Sequence, residues 1–365
     1  WLKSQPTVLR PVATAMALST PLTKLLGIKH PVMLAGMNGV AHSELAAAVT
    51  NAGGIGSIGG LTMTPKVLTT EIQDLKDHLN DKNAPFGVDL AIPQIGGSAR
   101  KTNHDYTHGH LPELIDIIVA EGAKLFICAV GVPPKWIVDK LHAGGVVIAN
   151  MVGSPRNAEK ALEAGVDILI AQGTEGGGHT GDLGTMVLIP QVVDLAKTKK
   201  NFWGGEIVVV AAGGIYDGRG LAASLSLGAA GVWVGTRFIC AEESAAPAYH
   251  KKLVIDAKSQ DTIRTLAVSG RPLRLVPNAW VKKWEQDPQG IAKLTAEGVV
   301  PLQHDLKKNP EDASVRKGIF EAVNSLAGQA VGGVTAIEPA AKIVEDMVAQ
   351  ARGILTSNVT FVAKL

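Results

Sequence analysis

Short apolar runs alternate with segments of helical spacing along roughly the first 240 residues of the chain. Two of the runs, LFICAV and IVVVAA, are apolar at every position. Continuous runs of this kind are typical of parallel strands that are covered on both faces. The pattern predicts eight strands, at Val32–Ala35, Gly54–Ile58, Phe86–Leu90, Leu125–Val130, Val146–Met151, Asp167–Gln172, Ile207–Ala212 and Val232–Gly235.

The segments between the runs carry the signals of helix ends. Residues 43–53, 64–79, 155–165 and 217–228 have helical spacing, and three of these four segments end at a glycine. Thr64-Pro65 and Ser154-Pro155 each place a capping side chain before a proline at the first helical position. Eight strand–helix units in succession predict a (β/α)8 barrel, with an open doubly wound sheet as the alternative.

The alternation stops after the GTRF sequence at 235–238. Residues 241–334 are predicted to form a smaller, mainly helical domain inserted after the eighth strand. Residues 337–355 have one apolar face, which begins at Ile337, and predict the last helix of the barrel. The chain is therefore divided into a lead-in at 1–27, a barrel at 28–240 plus 335–358, and a substrate-side domain at 241–334.

Composition excludes several classes of protein. The 365 residues are 46% hydrophobic, which allows a sizeable core, and their formal net charge is only +2. Near-neutral charge and 4% aromatic residues argue against a nucleic-acid surface. Cys128 and Cys240 lie in apolar runs and are interpreted as buried thiols. His104 and the THGH sequence at 107–110 lack a framework of further ligands, so no metal site is predicted.

The ends of the chain bear on its location. No apolar run is long enough to span a membrane. Residues 1–43 contain no acidic residue, which is compatible with a transit-peptide remnant or an ordinary lead-in. The last three residues, Ala363-Lys364-Leu365, are similar to the Ser-Lys-Leu peroxisomal signal. The expected location is cytoplasmic, or peroxisomal if this signal is read.

The working face of such a barrel is formed by the loops after the strands, and two of these loops favour an anion. Gly213 and Gly214 follow the seventh predicted strand, while Gly235 and Thr236 follow the eighth. Glycine lets backbone amides approach an anion closely, and the start of a helix favours negative charge. The pair of loops predicts a phosphate site, although tight turns alone would show the same residues.

A glycine-rich segment follows the sixth strand. Gly177 and Gly178 precede His179 there, and glycine lets the chain lie flat against a planar ligand. The imidazole of His179 is a candidate base, because histidine titrates near neutral pH. Gln172, at the strand end, can hydrogen-bond a polar ring edge. Glu175 is a rival acid or base, or else it orients His179 or caps the loop.

Five further residues complete the candidate site. Gly36 and Met37 after the first strand suit a flat ring, although methionine is more often a core residue. Asp89 lies at the end of the third strand, where the alternatives are a helix cap or an ion-pair partner. Arg271 and Arg274 can attract a substrate carboxylate, or else they belong to a solvated basic loop.

Four motifs, in order along the chain, resemble those of the nitronate monooxygenase family, once called 2-nitropropane dioxygenases. They are HPVMLAGMNGVAHSELAAAVTNAGGIGSIGG, GVDILIAQGTEGGGHTG, VVVAAGGIYDGRGLAASLSLGAAGVWVGTRF and GQAVGGVTAIEPAAKIVEDMV. The resemblance covers most of residues 28–240 and the last helix. It implies a (β/α)8 barrel, a non-covalently bound FMN and a helical substrate-side domain.

The resemblance also implies roles for individual residues. Gly213, Gly214, Gly235 and Thr236 would hold the FMN phosphate, while Gly36, Met37, Gln172, Gly177 and Gly178 would line the ring and ribityl chain. His179 would remove the α-proton of a neutral nitroalkane. Asp89 stands where many relatives carry asparagine, and a carboxylate there is expected to repel the flavin. The strand-five sequence IANMVGS lacks a lysine that some relatives carry.

The implied reaction is the oxidation of a nitronate or nitroalkane with O2 to a carbonyl compound and nitrite. An FMN-dependent NAD(P)H:quinone reductase or enoyl-thioester reductase is the alternative, and a non-catalytic flavin-binding protein is a third. Nucleotide dehydrogenases with similar phosphate loops need a nucleophilic cysteine in a mobile loop, a position that neither Cys128 nor Cys240 fits.

Overall fold

The eight apolar runs form the parallel strands of a barrel in the computed structural model, which describes residues 18–357. Most strands lie within one or two residues of their predicted positions, but the second begins later, at Ser57, and ends at Gly59. The barrel strands are Val32–Leu34 (β1), Ser57–Gly59 (β2), Gly87–Ala91 (β3), Leu125–Ala129 (β4), Val147–Val152 (β5), Ile168–Gln172 (β6), Val208–Ala212 (β8) and Gly231–Val234 (β9). A short additional strand outside the barrel, Gly178–His179 (β7), lies between β6 and β8 in the sequence.

The order of the strands closes the sheet on itself. Neighbours run β1-β9-β8-β6-β5-β4-β3-β2, and all of these pairs are parallel. The gap between β1 and β2 is bridged through Ile55: its N–H donates to the Val32 carbonyl at 3.0 Å, and its carbonyl accepts from the Leu34 N–H at 2.9 Å. The (β/α)8 prediction is therefore confirmed, and an open doubly wound sheet is excluded.

Helices surround the barrel, and one short helix precedes it. Thr64 and Ser154 cap their helices as predicted, each accepting from a backbone amide in the first turn, with proline at the first helical position. The helices are Pro21–Leu26 (α1), Ser43–Asn51 (α2), Pro65–His78 (α3), Leu111–Ala120 (α4), Lys135–Ala143 (α5), Pro155–Ala164 (α6), Thr185–Ala196 (α7) and Gly218–Ser226 (α8), with the final helix Ala340–Ser357 (α15) packed against α2 and α8.

Two apolar clusters stabilise this arrangement. The larger cluster lies between the outer faces of the strands and the helices, and the smaller one fills the barrel interior. Leu22 and Leu26 of α1 belong to the interior cluster, together with Met33 and Ile55. The side chains of β1, β4, β5, β6, β8 and β9 alternate between the two clusters, so both faces of these strands are largely apolar, which explains the continuous runs.

The final helix begins three residues later than predicted. Ile337 is 45% exposed and lies outside the helix, while Ile343 is buried and extends the apolar face. Glu338 is held in an extended bridge to Ala241, and the residue before a proline disfavours helical backbone. The predicted start at 337 is therefore wrong, because a tertiary bridge and Pro339 delay the helix.

The segment between β9 and α15 is mostly helical but also contains strands. Its helices are Thr236–Ile239 (α9), Ala248–Asp256 (α10), Ala279–Glu285 (α11), Pro288–Ala296 (α12), Pro301–Lys308 (α13) and Ala313–Val323 (α14), with 3-10 turns at Ser259–Asp261 and Gln329–Gly333. Strands Ile263–Thr265 (β10) and Leu273–Leu275 (β11) form an antiparallel sheet with β7, in which Leu273 pairs with His179. This sheet, which was not predicted, attaches the inserted segment to the glycine-rich loop. The division into three ranges stays a prediction.

No helix within residues 18–357 combines the length and apolar character that crossing a bilayer requires. The acid-free segment before residue 18 and the terminal Ala363-Lys364-Leu365 lie outside the described residues, so both readings of the location stay predictions.

Candidate active site

A cavity of about 1150 Å³ opens at the carboxyl ends of the barrel strands. Side chains of the inserted segment, including Arg264 and Arg271, line its outer part. Eleven of the candidate residues predicted from sequence line this one cavity; they are Gly36, Met37, Asp89, Gln172, Gly177, Gly178, His179, Gly213, Gly214, Gly235 and Thr236. Arg271 lines it as well, whereas Glu175 and Arg274 are not among its lining residues. The fold therefore brings the eleven residues together, and their individual roles stay predictions.

The loops after β8 and β9 form one end of the cavity. Gly213 and Gly214 have φ values of 94° and 73°, a backbone conformation that residues with a side chain rarely adopt. A β-carbon on Gly213 would also lie 2.9 Å from the Gly173 carbonyl oxygen. Within residues 18–357, the amides of Gly214 and Thr236 have no hydrogen-bond partner. The Thr236 hydroxyl accepts from the Gly328 N–H at 2.9 Å and keeps its own proton to donate. Unpaired donors between bare backbone segments fit a phosphate.

The middle of the cavity is shaped by close backbone packing. A β-carbon on Gly36 would lie 2.4 Å from the Asp89 carboxyl, and one on Gly177 would lie 2.7 Å from the Gly328 nitrogen. The Gln172 amide donates to the His179 carbonyl at 2.8 Å, so this side chain supports the glycine-rich loop. Larger residues at these glycines would displace the walls that a flat ligand needs.

Among the buried polar atoms of cavity-lining residues that have no partner within residues 18–357 is the side-chain oxygen of Asn150. Asn150, on β5, is fully buried and donates to the carbonyls of Cys128 and Gly131 at 2.8 Å, but its Oδ1 accepts no hydrogen bond within the described residues. Buried acceptors are usually satisfied, so an unpaired one at a cavity wall fits a donor from a bound ligand. Sequence analysis missed Asn150, although a lone polar residue in an apolar strand is a signal.

Asp89 differs from its expected charge. The side chain is 6% exposed and makes no hydrogen bond within the described part of the chain. Burial raises the pKa of Asp89 to about 8, because the ionised form would lose its hydration without gaining a partner. The raised pKa favours the neutral acid at neutral pH, which would remove the repulsion expected of an ionised carboxylate, and the contact of Asp89 with the flavin stays a prediction.

His179 lies on β7, whose backbone pairs with β11. Its Nε2 is 2.9 Å from the hydroxyl of Ser269, a residue that sequence analysis missed. Burial, and to a smaller extent the positive charge of Arg271, lower the pKa of His179 to about 4. The imidazole is therefore neutral at physiological pH. When the Ser269 hydroxyl donates to the Arg271 carbonyl at 3.4 Å, it accepts from Nε2–H, and Nδ1 carries the lone pair.

Two other candidates have structural contacts. Glu175 accepts from the Thr185 amide at 3.0 Å and from its hydroxyl at 2.8 Å, so it caps the start of α7. Arg274 is buried and donates to the Thr174 carbonyl at 2.9 Å and to the Thr262 hydroxyl at 3.0 Å. Glu175 therefore acts as a cap, one of its predicted alternatives. Arg274 fits neither of its alternatives, because it is buried and is not among the residues that line the cavity, whereas Arg271 lines it.

Known proteins share this sequence and this fold. The family model of nitronate monooxygenase matches residues 19–350. A "probable nitronate monooxygenase" of Staphylococcus saprophyticus is 32% identical over 93% of this chain and 99% of its own length. A Rhodococcus jostii protein, named "(3aS,4S,5R,7aS)-5-hydroxy-7a-methyl-1-oxo-octahydro-1H-indene-4-carboxyl-CoA dehydrogenase", is 39% identical over 73% of this chain and 68% of its own. The solved structure of a nitroalkane oxidase from Streptomyces ansochromogenes is 27% identical with a TM-score of 0.75, covering 92% of this chain and 99% of its own.

The barrel, the cavity at the carboxyl ends of its strands and these likenesses together define a flavin-dependent oxidoreductase that acts on a small-molecule substrate. Within that class, the chain belongs to the nitronate monooxygenase family, whose model covers nearly all of the described residues.

Proposed function

We propose that the protein is an FMN-dependent nitronate monooxygenase, which converts alkyl nitronates with O2 into a carbonyl compound and nitrite. The observation that carries this proposal is the neutral imidazole of His179, held by Ser269 and accompanied by the cationic Arg271 in one cavity. A neutral acceptor beside a positive charge favours a substrate that enters as an anion.

The chain's own residues suit FMN. Gly213, Gly214, Gly235 and Thr236 present amides and a hydroxyl at one end of the cavity, where the phosphate would bind. Gly36, Met37, Gly177, Gly178, Gln172 and Asp89 would surround the ring and ribityl chain. Bound FMN supplies the redox chemistry, by accepting electrons from the organic anion and reacting with O2. The protein orients the anion and limits its access to water.

His179 is not expected to act as an efficient general base for every nitroalkane. A base with a pKa of about 4 accepts a proton weakly from a carbon acid, because proton transfer works best when the base is matched to the operating pH. A preformed nitronate needs no such transfer. We therefore infer that the nitronate is the better substrate, and that neutral nitroalkanes react slowly.

The first experiment compares His179→Asn with wild type on both substrates. We expect the variant to lose about 10²-fold or more of its activity on a neutral nitroalkane, because general-base catalysis is worth about 10²–10⁴. Activity on the preformed nitronate should fall much less. Asparagine leaves the β7–β11 backbone pairing in place, and His110→Asn, at an exposed histidine, is the matched control. Equal losses on both substrates, or none on either, would remove His179 from the base role.

The pH dependence is a second readout of the same group. His179 must be neutral to accept a proton, so wild-type kcat/KM on the nitroalkane should fall as the pH drops through about 4 and stay level from about pH 5 to pH 7, below the pKa of Asp89. A fall of kcat/KM centred near pH 6.5 would contradict the conclusion that burial lowers the pKa of His179. Release of a yellow chromophore on acid treatment, with the chromatographic mobility of FMN, tests the cofactor separately.

One observation favours a second candidate function. The Rhodococcus jostii relative, at 39% identity, is named as a dehydrogenase of a carboxyl-CoA compound. A flavin-dependent dehydrogenase or reductase of acyl thioesters would use the same cavity. Anaerobic addition of a nitronate, an acyl-CoA or NAD(P)H to the yellow protein distinguishes the two, since only the true reductant bleaches the flavin rapidly.

A further inference from the structure

The residue that follows β4 has an unusual backbone conformation. Val130 has a φ of 69°, and the Ala129 carbonyl before it accepts from the Gly131 N–H at 2.8 Å. A hydrogen bond between residues two apart, across a central residue of positive φ, defines the classic γ-turn, which is rare and strained. A β-branched residue is especially unfavourable there. The other residues besides glycine that have a positive φ in the described part of the chain are exposed, whereas Val130 is half-buried.

The turn changes the direction of the Val130 side chain. Along β4, Phe126 and Cys128 belong to the cluster outside the barrel, and Ile127 between them belongs to the cluster inside it. Continued alternation would place residue 130 on the outer side, beneath the helices. Val130 instead lines the cavity, and within residues 18–357 it belongs to none of the apolar clusters. The strained backbone therefore gains no packing in the core, and its result is an isopropyl group at the cavity wall.

Three separate segments hold the turn in place. The carbonyls of residues 129, 130 and 131 accept, in that order, from the loop after β3, from the inserted segment and from β5. The donors are the Ile92 N–H at 3.0 Å, the Arg271 guanidinium at 3.3 Å and the Asn150 side-chain amide at 2.8 Å. Strained residues persist where their surroundings over-determine them, and they cluster at ligand sites. Because all three acceptors are backbone carbonyls, these bonds remain when the side chain of residue 130 is replaced.

Val130 lies on the same part of the cavity wall as His179. Arg271 connects the two, since its guanidinium contacts the Val130 carbonyl and its charge helps to lower the pKa of His179. The Arg271 carbonyl also accepts from the Ser269 hydroxyl, which lies 2.9 Å from His179 Nε2. A ligand whose reacting end faces His179 therefore has the apolar side chain of Val130 beside the rest of its structure.

We propose that Val130 is a specificity-determining residue, whose isopropyl group contacts the alkyl chain of the substrate and limits the length of that chain. The inference rests on the proposed function, because it assigns a size class of nitronate to the same cavity. An apolar wall discriminates by volume, and the discrimination is sharper when the wall cannot move. The turn is fixed at three carbonyls, so a long chain cannot displace it easily and short-chain nitronates are favoured.

The test uses the nitronates of nitroethane and 1-nitrohexane, which differ only in chain length. The measured quantity is the selectivity, the kcat/KM of the long nitronate divided by that of the short one. Val130→Ala and Val130→Gly should each raise the selectivity by about tenfold or more, since one methylene in an apolar pocket is worth about 10- to 200-fold. Val130→Ile keeps the β-branch, adds one methylene and should lower the selectivity.

Thr62→Gly is the matched control for the release of strain. Thr62 has a φ of 62°, is exposed and is not among the residues that line the cavity, so this replacement should leave the selectivity unchanged. The turn itself is tested by urea denaturation. Val130→Gly should have a midpoint no lower than that of Val130→Ala, because glycine adopts this φ without strain, whereas glycine is the less stable of the two in an ordinary strand. A clearly lower midpoint would overturn the strained turn and the inference built on it.

Binding measurements separate the substrate from the cofactor and from the proposed function. An unchanged selectivity in Val130→Gly would overturn the proposal, and weaker binding of FMN in the same variant would then assign Val130 to the flavin. If wild type oxidises no nitronate, the proposed function alone is refuted. Titration of the flavin-loaded protein with nitroethane and 1-nitrohexane, followed by flavin absorbance, then tests the chain-length limit. Binding of 1-nitrohexane that tightens about tenfold in Val130→Ala, with nitroethane unchanged, supports the limit, and equal changes for both ligands overturn it.

Discussion

The pH dependence of stability in an Asp89→Asn variant measures how strongly the cavity disfavours an ionised carboxyl group. Replacing Asp89 with asparagine keeps the size and shape of the side chain but removes the titration. In wild type the carboxyl is 6% exposed, lies against Gly36 and has no hydrogen-bond partner within the described residues. Burial raises its pKa from 3.8 to about 8. The folded protein therefore holds a proton that the unfolded chain has already released near neutral pH.

The sign and size of the effect follow from this difference in bound protons. Stability falls with rising pH wherever the folded state binds more protons, which for Asp89 is the range between its unfolded and folded pKa values. The slope is about 1.4 kcal/mol per pH unit in that range. Between pH 5 and pH 7 the free energy of unfolding of wild type should thus fall by about 3 kcal/mol relative to Asp89→Asn. Other titrating groups are common to both proteins and cancel.

Urea denaturation of both proteins at pH 5, 6 and 7, with equal excess flavin, measures the difference. Asp194→Asn, at an exposed aspartate on α7, is the control and should show no such trend. A constant difference between wild type and Asp89→Asn across this range would show that Asp89 is already ionised. It would refute the argument that burial without a partner neutralises the group.

Two further replacements test the cavity end and the opposite end of the barrel. Gly213→Ala should weaken flavin binding by tenfold or more, because its φ of 94° costs an L-residue about 1–2 kcal/mol and the new β-carbon would lie 2.9 Å from the Gly173 oxygen. Flavin retained on gel filtration is the measurement, and Gly353→Ala, which meets open space on α15, is the control. Asp167→Ala should destabilise the fold by about 3–5 kcal/mol in urea, since this fully buried carboxylate accepts from His142 and from the amides of Ile148 and Phe202. Its activity per folded molecule should be unchanged, and a loss below 1 kcal/mol would contradict this reading.

Local signals in the sequence determined the barrel and most of the predicted residues that line its cavity. Strands buried on both faces require unbroken apolar runs, and helix starts at Thr64 and Ser154 require capping residues, so both features can be read without a structure. Once the strand ends are known, parallel topology places the residues after them at one face. This is why Gly213, Gly235 and His179 could be assigned to one site although they are far apart in sequence.

Tertiary structure alone decided the protonation and the partners of the site residues. The neutral state of Asp89 depends on the backbone that excludes water from it, and the low pKa of His179 depends on burial and on Arg271, ninety-two positions along the chain. Ser269 and Asn150 were missed because neither belongs to a motif. Strands β10 and β11 were missed because three-residue strands carry almost no periodicity and because, unlike the equally short β1 and β2, they lie outside the alternation of strands and helices. Charge and hydrogen bonding are set by what surrounds a group in space, and a linear pattern contains that information only where neighbours in space are also neighbours in sequence.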